Sequence, residues 1–188
     1  SGKMTPFPAD LSNIIPASLH HAQVLAALHQ ACFSPGWADH DISGFMSTPG
    51  AAALAALAAA ETSDVSGSAK FPTGFILYRC AVDECEIITL CVRPQNRRQG
   101  AAKHLLSALE DVLVGCGVTT VSLEVEEGNT SAVRLYEKAG YVLTGRRKNY
   151  YRNEAGRRDA MLYRRTLEAP ECACTGDNQW SNLKSFQF

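Results

Sequence analysis

The sequence predicts a single domain built from mixed α/β layers. Helical periodicity near the N-terminus, a hairpin of extended runs in the middle, and alternating strands and helices after it predict this class. The chain has 188 residues, of which 46% are apolar and 20% are charged, which suits one domain with a sizeable core. The formal net charge of −1 excludes the global basic field of a nucleic-acid-binding protein, so direct nucleic-acid binding is not expected.

The first third of the chain predicts two helices, a strand and a loop. Apolar residues at helical spacing predict a helix over 17–32, and a second short helix is expected near 39–47. The run Ala51–Ala60 has the composition of a helix, but its place after Pro49-Gly50 and before a clear strand favours a strand. Residues 61–73 are polar and predict a loop.

The rest of the chain predicts strands that alternate with helices. Two extended runs, 73–82 and 85–92, predict a hairpin. Leucines and valines at helical spacing then predict a helix that is ended by Gly115 and Gly117. The remaining elements are a strand over 118–125, a helix capped by Asn129 or Thr130, and two strands, 141–144 and 159–166, joined by a basic loop.

Three segments are expected along the chain: an N-terminal extension over 1–13, the folded domain over 14–167 and a tail over 168–188. The extension begins with Ser-Gly-Lys, which has the character of an expression-tag remnant before a native start at Met4. The N-terminus has no apolar signal core, and the longest apolar run has ten residues, too few to span a membrane. These features predict a cytoplasmic protein without a membrane partner.

The cysteines and histidines predict neither disulfides nor a metal site. Seven cysteines, an odd number, are scattered through apolar segments, which favours free thiols. Cys172 and Cys174 form a single C-x-C pair without a second ligand pair, and they are expected to be two exposed thiols of the tail. The five histidines show no H-x-x-x-H or H-E-x-x-H spacing, so no metal is expected.

The segment between the strand that ends at Val92 and the helix that starts near Lys103 carries the clearest chemical pattern. Gly100 permits close approach of the backbone to a ligand, and a helix N-terminus directs several N–H groups at one point. Arg97 and Arg98 add positive charge. The pattern predicts a pyrophosphate cradle, although alone it fits a basic helix-capping turn equally well. It matches neither a Walker loop nor the dinucleotide fingerprint.

Several motifs, in order along the chain, resemble those of the GNAT acetyltransferases. The segment Arg97-Arg98-Gln99-Gly100-Ala101-Ala102 resembles their acetyl-CoA motif, [RQ]-x-x-G-x-[GA]. The resemblance covers residues 14–167 and implies the GNAT fold, a mixed, mostly antiparallel sheet flanked by helices. The motifs that resemble the second half of that fold are Leu123-Glu124-Val125, Asn129, Leu135-Tyr136-Glu137 and Ala139-Gly140-Tyr141.

Two further segments, Arg147-Lys148-Asn149-Tyr150-Tyr151 and Asp159-Ala160-Met161, resemble the RimI branch of the family. That branch acetylates the N-terminal alanine of a small-subunit ribosomal protein, so the resemblance implies the same reaction on a basic protein N-terminus. Three alternatives stay open: acetylation of a small-molecule amine (a polyamine or an antibiotic), acetylation of protein lysine, and a non-catalytic acetyl-CoA-binding module. A monomer or weak dimer is expected.

The resemblance implies a role for each matching residue. Acetyl-CoA would be the co-substrate, with Glu124 as the general base and Tyr136 as the general acid. The residues that would contact acetyl-CoA are Leu90, Cys91, Val92, Arg97, Arg98, Gln99, Gly100, Ala101, Ala102, Lys103 and Asn129. The residues that would line the peptide entrance are Trp37, Tyr150 and Tyr151.

These residue types suit the reaction. An α-amine has a pKa near ~8 and is mostly protonated at neutral pH, so a carboxylate such as Glu124 would have to remove the proton. Period two places Ser122, Glu124 and Glu126 on one face of their strand, and a solvent-facing strand edge is the alternative explanation. A backbone N–H of 90–92 could donate to the developing oxyanion. Tyr136 could protonate the leaving thiolate, although a core tyrosine is the alternative.

Charged residues indicate the chemistry of the acceptor. Acidic residues cluster on the predicted hairpin and the next strand, and they would favour a basic peptide or a polyamine. The stretch after 146 is basic, which is typical of a solvated face, with contact to ribosomal RNA as the alternative. The acidic residues are Asp83, Glu84, Glu86, Glu124, Glu126 and Glu127, of which Glu86 and Glu126 are candidates for binding the acceptor.

Overall fold

The computed structural model describes residues 13–58, 71–153 and 156–168, which form seven strands and four helices. Short 3₁₀ turns precede α1 and follow β4. No helix in these three ranges is long and apolar enough to cross a membrane. The elements are β1 (Ile14–Ala17), α1 (Ala22–Gln30), α2 (Asp39–Met46), β2 (Ala51–Leu57), β3 (Pro72–Ala81), β4 (Glu84–Val92), α3 (Ala101–Gly115), β5 (Thr120–Glu126), α4 (Thr130–Lys138), β6 (Val142–Asn153) and β7 (Gly156–Thr166).

The seven strands form one sheet in the order β1-β2-β3-β4-β5-β7-β6. Neighbouring strands are antiparallel, except β4 and β5, which run parallel. Helix α3 connects these two strands, because parallel neighbours need a crossover of this length. The prediction of a mixed, mostly antiparallel sheet flanked by helices is therefore confirmed.

Helices cover both faces of the sheet, because the central strands carry apolar side chains on both sides. On one face, α3 and α4 share an apolar cluster with β4 and β5 that includes Leu109, Leu123 and Tyr136. On the other face, α1 and α2 pack with β2, β3 and the end of β4 around Phe75 and Cys91. Burial alternates along β5, so its less buried residues point to the face that carries α1 and α2.

Strands β4 and β5 part half-way along β4. Their pairing ends at Ile87 and Leu123 within the described chain, whereas β5 stays paired with β7 as far as Glu126. A bulge lies at the same place, because Ile88 is an extra residue in the ladder between β4 and β3. Bulges bend a strand and increase its twist. The end of β4 therefore leaves β5 and opens a gap between the carboxyl ends of the two strands.

The structure confirms most of the predicted elements. The alanine run forms β2, because its pairing with β1 and β3 outweighs the helix propensity of alanine. The hairpin is β3 and β4, and the short helix near 39–47 is α2. The first helix is shorter than expected: the chain forms a 3₁₀ turn over Leu19–His21, and α1 begins at Ala22.

At the edges of the sheet, one prediction is wrong and one strand was not predicted. The basic loop between the last two strands is instead the second half of β6, which pairs with β7 as far as Asn153. Most of its described side chains are exposed, so it lacks the apolar alternation that marks a strand. Strand β1 was not expected, because it has four residues and contains Pro16, which an edge strand tolerates.

Some of the predicted segments lie outside the described residues. They are most of the N-terminal extension, most of the polar loop over 61–73, and the tail after Glu168 with Cys172 and Cys174.

Arg165 of β7 joins the sheet to both helices of one face. Its guanidinium donates to Glu110 Oε1 of α3 at 2.8 Å, and to the carbonyl of Ala139 at the end of α4. The guanidinium carbon also lies 5.9 Å from the centroid of the Tyr141 ring. Burial raises the pKa of the Glu110 carboxyl, and the Arg165 charge opposes that rise. The charge of Arg165 therefore stabilises the ionised form of the largely buried Glu110 carboxyl.

We expect Arg165→Met to lower the free energy of unfolding by ~1–3 kcal/mol at pH 7, because Glu110 loses its counter-charge. Without Arg165 the folded-state pKa of Glu110 rises further, so folding takes up protons and stability falls as pH increases through that pKa. The loss should therefore shrink towards about pH 4, where carboxyls protonate. Denaturant unfolding of variant and wild type across this pH range measures how the loss of stability changes with pH.

The matched control is Arg164→Met, which removes the exposed ion pair between Arg164 and Glu84. We expect that change to cost ~0–1 kcal/mol. Equal losses in the two variants, or a loss in Arg165→Met that does not vary with pH, would contradict the assigned role of Arg165.

Candidate active site

The gap between β4 and β5 leads to the loop that follows β4. The carbonyl of Val92, the last residue of β4, accepts a hydrogen bond from Arg97 Nε at 3.1 Å. This bond turns the Arg97 side chain back onto the strand, so its guanidinium does not extend towards the helix that follows. Leu90 is partly buried and Cys91 is buried on the opposite face of the strand.

Helix α3 begins at Gly100, whose φ of +88° lies in the left-handed region. Glycine adopts this conformation without the penalty that a Cβ imposes, typically ~1–2 kcal/mol. Arg98 also has a positive φ, +63°, a conformation that is uncommon for residues with a side chain and concentrates at functional sites. The first N–H groups of α3, on Ala101, Ala102 and Lys103, have no partner within the helix. They form the donor set that an anion requires.

Positive charge surrounds the start of α3. Arg98 and Lys103 are exposed, and the helix dipole adds a favourable field for an anion of ~0.3–1 kcal/mol. The His104 ring lies against Gly100, since a Cβ built on that glycine would meet the imidazole at 3.4 Å. His104 was not among the predicted site residues, because only the turn at Gly100 brings its ring over the loop. Gln99 is exposed in the same turn.

Glu124 lies on β5 one residue beyond the point where β4 and β5 part. Its side chain is 22% exposed and forms an ion pair with Arg147 of β6, with 3.3 Å between Oε1 and Nε. The structure thus places Ser122, Glu124 and Glu126 on the less buried face of β5, as period two predicts. Arg147 was not predicted as a site residue, because its position next to Glu124 depends on the strand that was expected to be a loop.

Tyr136, a residue of α4, packs against the other face of the sheet. It is 6% exposed on α4 within the apolar cluster, and its ring packs edge-on against Tyr141 with 5.7 Å between centroids. Glu124 and Tyr136 are therefore separated by the sheet. The gap beyond Ile87 and Leu123 is where groups from the two faces have a common approach.

Asn129 is the N-cap residue of α4, and its Oδ1 accepts a hydrogen bond from the Ala132 N–H at 3.2 Å. This is the capping role that its place in the sequence predicts. The bond uses one lone pair of the carboxamide oxygen, so the nitrogen of the same group stays available as a donor to a ligand.

Trp37 lies in the connection from α1 to α2 and stacks on His29, with 4.8 Å between ring centroids and 14° between ring planes. The Trp37 N–H donates to His29 Nδ1 at 3.0 Å, and Gln30 Nε2 donates to the Trp37 carbonyl at 2.9 Å. Burial lowers the pKa of His29, which keeps the imidazole a neutral acceptor for this bond. Two residues of α1 thus fix the Trp37 backbone beside the sheet.

Arginines accompany the acidic residues that were expected to face an acceptor. Arg79 pairs with Glu86 at 3.3 Å, and Arg146 with Glu127 at 2.7 Å. Together with the pairs of Glu84 and Glu124, these contacts offset much of the negative field that the composition of the hairpin predicts. Charge alone is therefore weaker support for a basic acceptor than the sequence suggests.

The structure brings one of the predicted entrance residues, Tyr150, close to Glu124. The guanidinium carbon of Arg147 lies 5.3 Å from the centroid of the exposed Tyr150 ring, so Tyr150 and Glu124 share one arginine. Trp37 packs against the apolar cluster of α1 and α2, on the same face of the sheet as Glu124. The backbone of Tyr151 is part of β6, and its side chain lies outside the described residues.

A groove of about 680 Å³ lies elsewhere, between α3 and the β6–β7 edge. Glu110, Gly140, Arg164 and Arg165 are among its lining residues, and it shares no residue with the predicted site. In the part of the chain that the structure describes, no group of three or more His, Cys, Asp or Glu side chains is arranged to hold a metal ion.

Three comparisons relate the chain to known proteins. A model of the acetyltransferase (GNAT) family matches residues 22–141. The [ribosomal protein bS18]-alanine N-acetyltransferase of Escherichia coli (strain K12) is 38% identical over 88 residues, which are 47% of this chain and 60% of that protein. The chain thus aligns with less than two thirds of the length of this curated relative.

Two crystal structures have the same fold. That of the ribosomal-protein-S18-alanine N-acetyltransferase from Escherichia coli superposes with a TM-score of 0.73 at 24% identity, covering 88% of this chain and 96% of that one. Arabidopsis thaliana NAA60 in complex with acetyl-CoA superposes with a TM-score of 0.69 at 20% identity, covering 82% and 97%.

We expect Gly100→Ala to weaken the binding of coenzyme A at least ~10-fold, which corresponds to ~1.4 kcal/mol. A Cβ at φ +88° is strained, so the turn relaxes and its N–H groups lose their common direction. Titration calorimetry with coenzyme A measures the change.

Gly117→Ala is the matched control, because Gly117 has φ +80° just beyond the other end of α3 with open space around its Cβ position. It should lower stability to a similar degree and leave coenzyme A affinity unchanged. Wild-type affinity in Gly100→Ala would rule out the turn as the binding element.

Proposed function

The chain belongs to the acetyltransferase (GNAT) family, and on that premise we propose that it transfers the acetyl group of acetyl-CoA to the N-terminal α-amine of a protein. The observation that carries the proposal is the arrangement around the parted strands. The start of α3 follows the end of β4. Glu124 of the neighbouring strand β5 and Tyr136 of α4 lie on opposite faces of the sheet.

The residues around Gly100 fit the pyrophosphate of acetyl-CoA. Gly100 has no Cβ and adopts a positive φ, so a ligand can approach the backbone of the turn closely. The N–H groups of residues 101–103, with the exposed Arg98 and Lys103, provide donors and positive charge. Arg97 would act differently from its neighbours, by holding the turn against the Val92 carbonyl. When bound, acetyl-CoA supplies an acyl carbon activated as a thioester.

The end of β4 would hold the acyl group in the gap. Beyond Ile87 the strand no longer bonds to β5, so N–H groups on that edge between 88 and 92 can donate to a ligand. One such donor to a developing oxyanion is worth ~3–4 kcal/mol in other enzymes. The Val92 carbonyl is already occupied by Arg97, so we assign the contact of Val92 to its N–H and that of Leu90 to its backbone. The Cys91 backbone pairs with Phe75 of β3, so Cys91 would contribute by holding these two residues in place. Asn129 would approach from the start of α4.

Glu124 would remove the proton from the attacking amine. It stands beside the gap on the less buried face of β5, and its ion pair with Arg147 keeps one carboxylate oxygen in a defined place. An incoming ammonium would take over the position of the guanidinium. Arg147 can then turn away along the exposed strand without unpairing a buried charge, because it is 55% exposed.

Tyr136 would return a proton to the leaving sulfur from the opposite face. Its hydroxyl is carried by a ring that is fixed between α4 and Tyr141, so little conformational freedom is lost on reaction. The acid and the base therefore reach the reacting atoms from the two sides of the sheet, and neither blocks the path of the other.

For the acceptor we propose the basic N-terminus of a protein, with a ribosomal protein that begins with alanine as the leading candidate. This rests on the 38% identity to the [ribosomal protein bS18]-alanine N-acetyltransferase of Escherichia coli and on the exposed Tyr150 ring near Glu124, with which it shares Arg147. Glu86, Glu126 and Trp37 lie on the face from which such a peptide would approach. We further propose that the enzyme works in the cytoplasm and acts as a monomer or weak dimer.

The acceptor class is tested by three parallel incubations with acetyl-CoA, in which release of coenzyme A is measured. The acceptors are a basic peptide that begins with alanine, the same peptide with a blocked N-terminus and a free lysine, and spermidine. We expect release with the first alone. Release with spermidine alone would refute the proposal, and release with the blocked peptide alone would assign the activity to lysine.

We expect Glu124→Gln and Tyr136→Phe each to lower kcat by ~10²–10⁴-fold, because each removes one proton-transfer group. Coenzyme A affinity should stay within a factor of ~2, since the start of α3 is unchanged. Steady-state kinetics with the alanine peptide and calorimetry with coenzyme A measure the two quantities.

Glu127→Gln and Tyr163→Phe are matched controls, because they change a neighbouring carboxylate and a buried tyrosine that bonds to Glu137. Both should retain kcat. Wild-type turnover in Glu124→Gln and Tyr136→Phe would remove these two residues from the mechanism.

A further inference from the structure

Two cysteines from distant parts of the sequence meet beside the proposed acetyl-CoA site. Cys32 follows the end of α1 and is partly exposed, whereas Cys91 is buried on β4. Cys32 packs against the apolar cluster that contains Cys91, and its sulfur lies 3.4 Å from the carbonyl oxygen of Val92, the next residue of β4. The contact joins α1 to the end of β4, where the strand has left β5.

The surroundings of Cys32 depend on its protonation. As a thiol it donates to the Val92 carbonyl, with 3.4 Å between sulfur and oxygen. As a thiolate it accepts from the Cys91 thiol and from the Arg97 guanidinium, with Arg93 as a second cation nearby. These donors lower the pKa of Cys32 to about 6, against the opposing effect of burial. Burial and the neighbouring sulfur raise the pKa of Cys91.

The two thiols therefore have different chemical characters. Thiolates are the attacking species in exchange with disulfides, and reactive cysteines occupy partly exposed, electropositive sites. Cys32 meets both conditions through Arg97 and its exposure. Cys91, 4% exposed, is shielded from reagents and lies in the cluster against which the partly exposed Cys32 packs. This is the arrangement of an attacking and a resolving thiol.

We propose that Cys32 and Cys91 form a reversible thiol–disulfide pair, in which Cys32 attacks a low-molecular-weight disulfide and Cys91 resolves the product. This inference goes beyond the acetyl transfer proposed above and does not depend on it. The disulfide would tie the end of α1 to β4 next to Val92, and it would remove the thiolate that faces Arg97.

The exchange balances in two steps. The Cys32 thiolate bonds to one sulfur of the small disulfide, the S–S bond of that molecule breaks, and its other half leaves as a thiolate. Cys91 then gives its proton to a leaving thiolate and bonds to the Cys32 sulfur, which releases the second half as a thiol. The two protein thiols are oxidised to one disulfide, and the small disulfide is reduced to two thiols.

The other described cysteines provide internal comparisons. Cys116 is exposed beyond the end of α3, so it reports the reactivity that exposure alone confers. Cys80 and Cys85 face each other across the β3–β4 hairpin, but both are buried. Only the Cys32 and Cys91 pair, among the residues that the structure describes, combines a partly exposed sulfur with a buried partner.

The test uses the reduced full-length protein at pH 7 with glutathione disulfide in one arm and coenzyme A disulfide in the other. Samples are quenched with acid, alkylated and digested, and peptide masses identify each cysteine. Wild type should form the Cys32–Cys91 disulfide, and Cys32 should react at least ~10-fold faster than Cys116. A faster reaction with coenzyme A disulfide would identify it as the better oxidant. Equal rates with the two disulfides would indicate that small disulfides in general oxidise the pair.

Two variants separate the roles of the sulfurs. In Cys91→Ser, a mixed disulfide should persist on Cys32, because nothing resolves it, and in Cys32→Ser Cys91 should stay reduced. Cys91→Ala repeats the first result if serine disturbs the fold, and thermal unfolding checks both variants. Faster reaction at Cys116, or a mixed disulfide on Cys32 that persists equally in wild type, would overturn the proposal. Since the readout is peptide mass, neither result depends on acetyltransferase activity.

Discussion

The separation of β4 from β5 is the constraint on which the rest of the site depends. One extra residue, Ile88, ends the parallel pairing after Ile87 while β5 remains anchored to β7. Backbone groups that a continuous sheet would satisfy internally become available to a ligand. The same bend directs the chain into the turn at Gly100, so the strand edge and the start of α3 form parts of one surface.

The sheet also acts as a partition between the two proposed proton-transfer groups. Glu124 stays on the more open face next to Arg147, whereas Tyr136 is held in the apolar cluster under α3 and α4. The different surroundings suit different tasks, because the Glu124 carboxylate contacts a guanidinium and is partly exposed, whereas the Tyr136 ring is buried. The fold therefore positions both side chains before any substrate arrives.

Much of this architecture could be predicted from local patterns. The turn before β2, the hairpin and the glycine at the start of α3 each have a short-range signal, and the motif around Gly100 located the turn correctly. The second half of β6 could not be predicted, because its exposed, charged side chains show no alternation. Arg147 and Cys32 were missed for a related reason: their partners lie far away in the sequence, and only the sheet brings them together.

The position of β6 at the edge of the sheet has a consequence for how such a protein can evolve. The proposed co-substrate surface is built from central elements, whereas Arg147 and Tyr150 belong to a strand with a single neighbour. Changes in length or register at an edge disturb one ladder, while changes in a central strand disturb two. The acceptor specificity can therefore change during evolution while the proposed acetyl-transfer site is conserved.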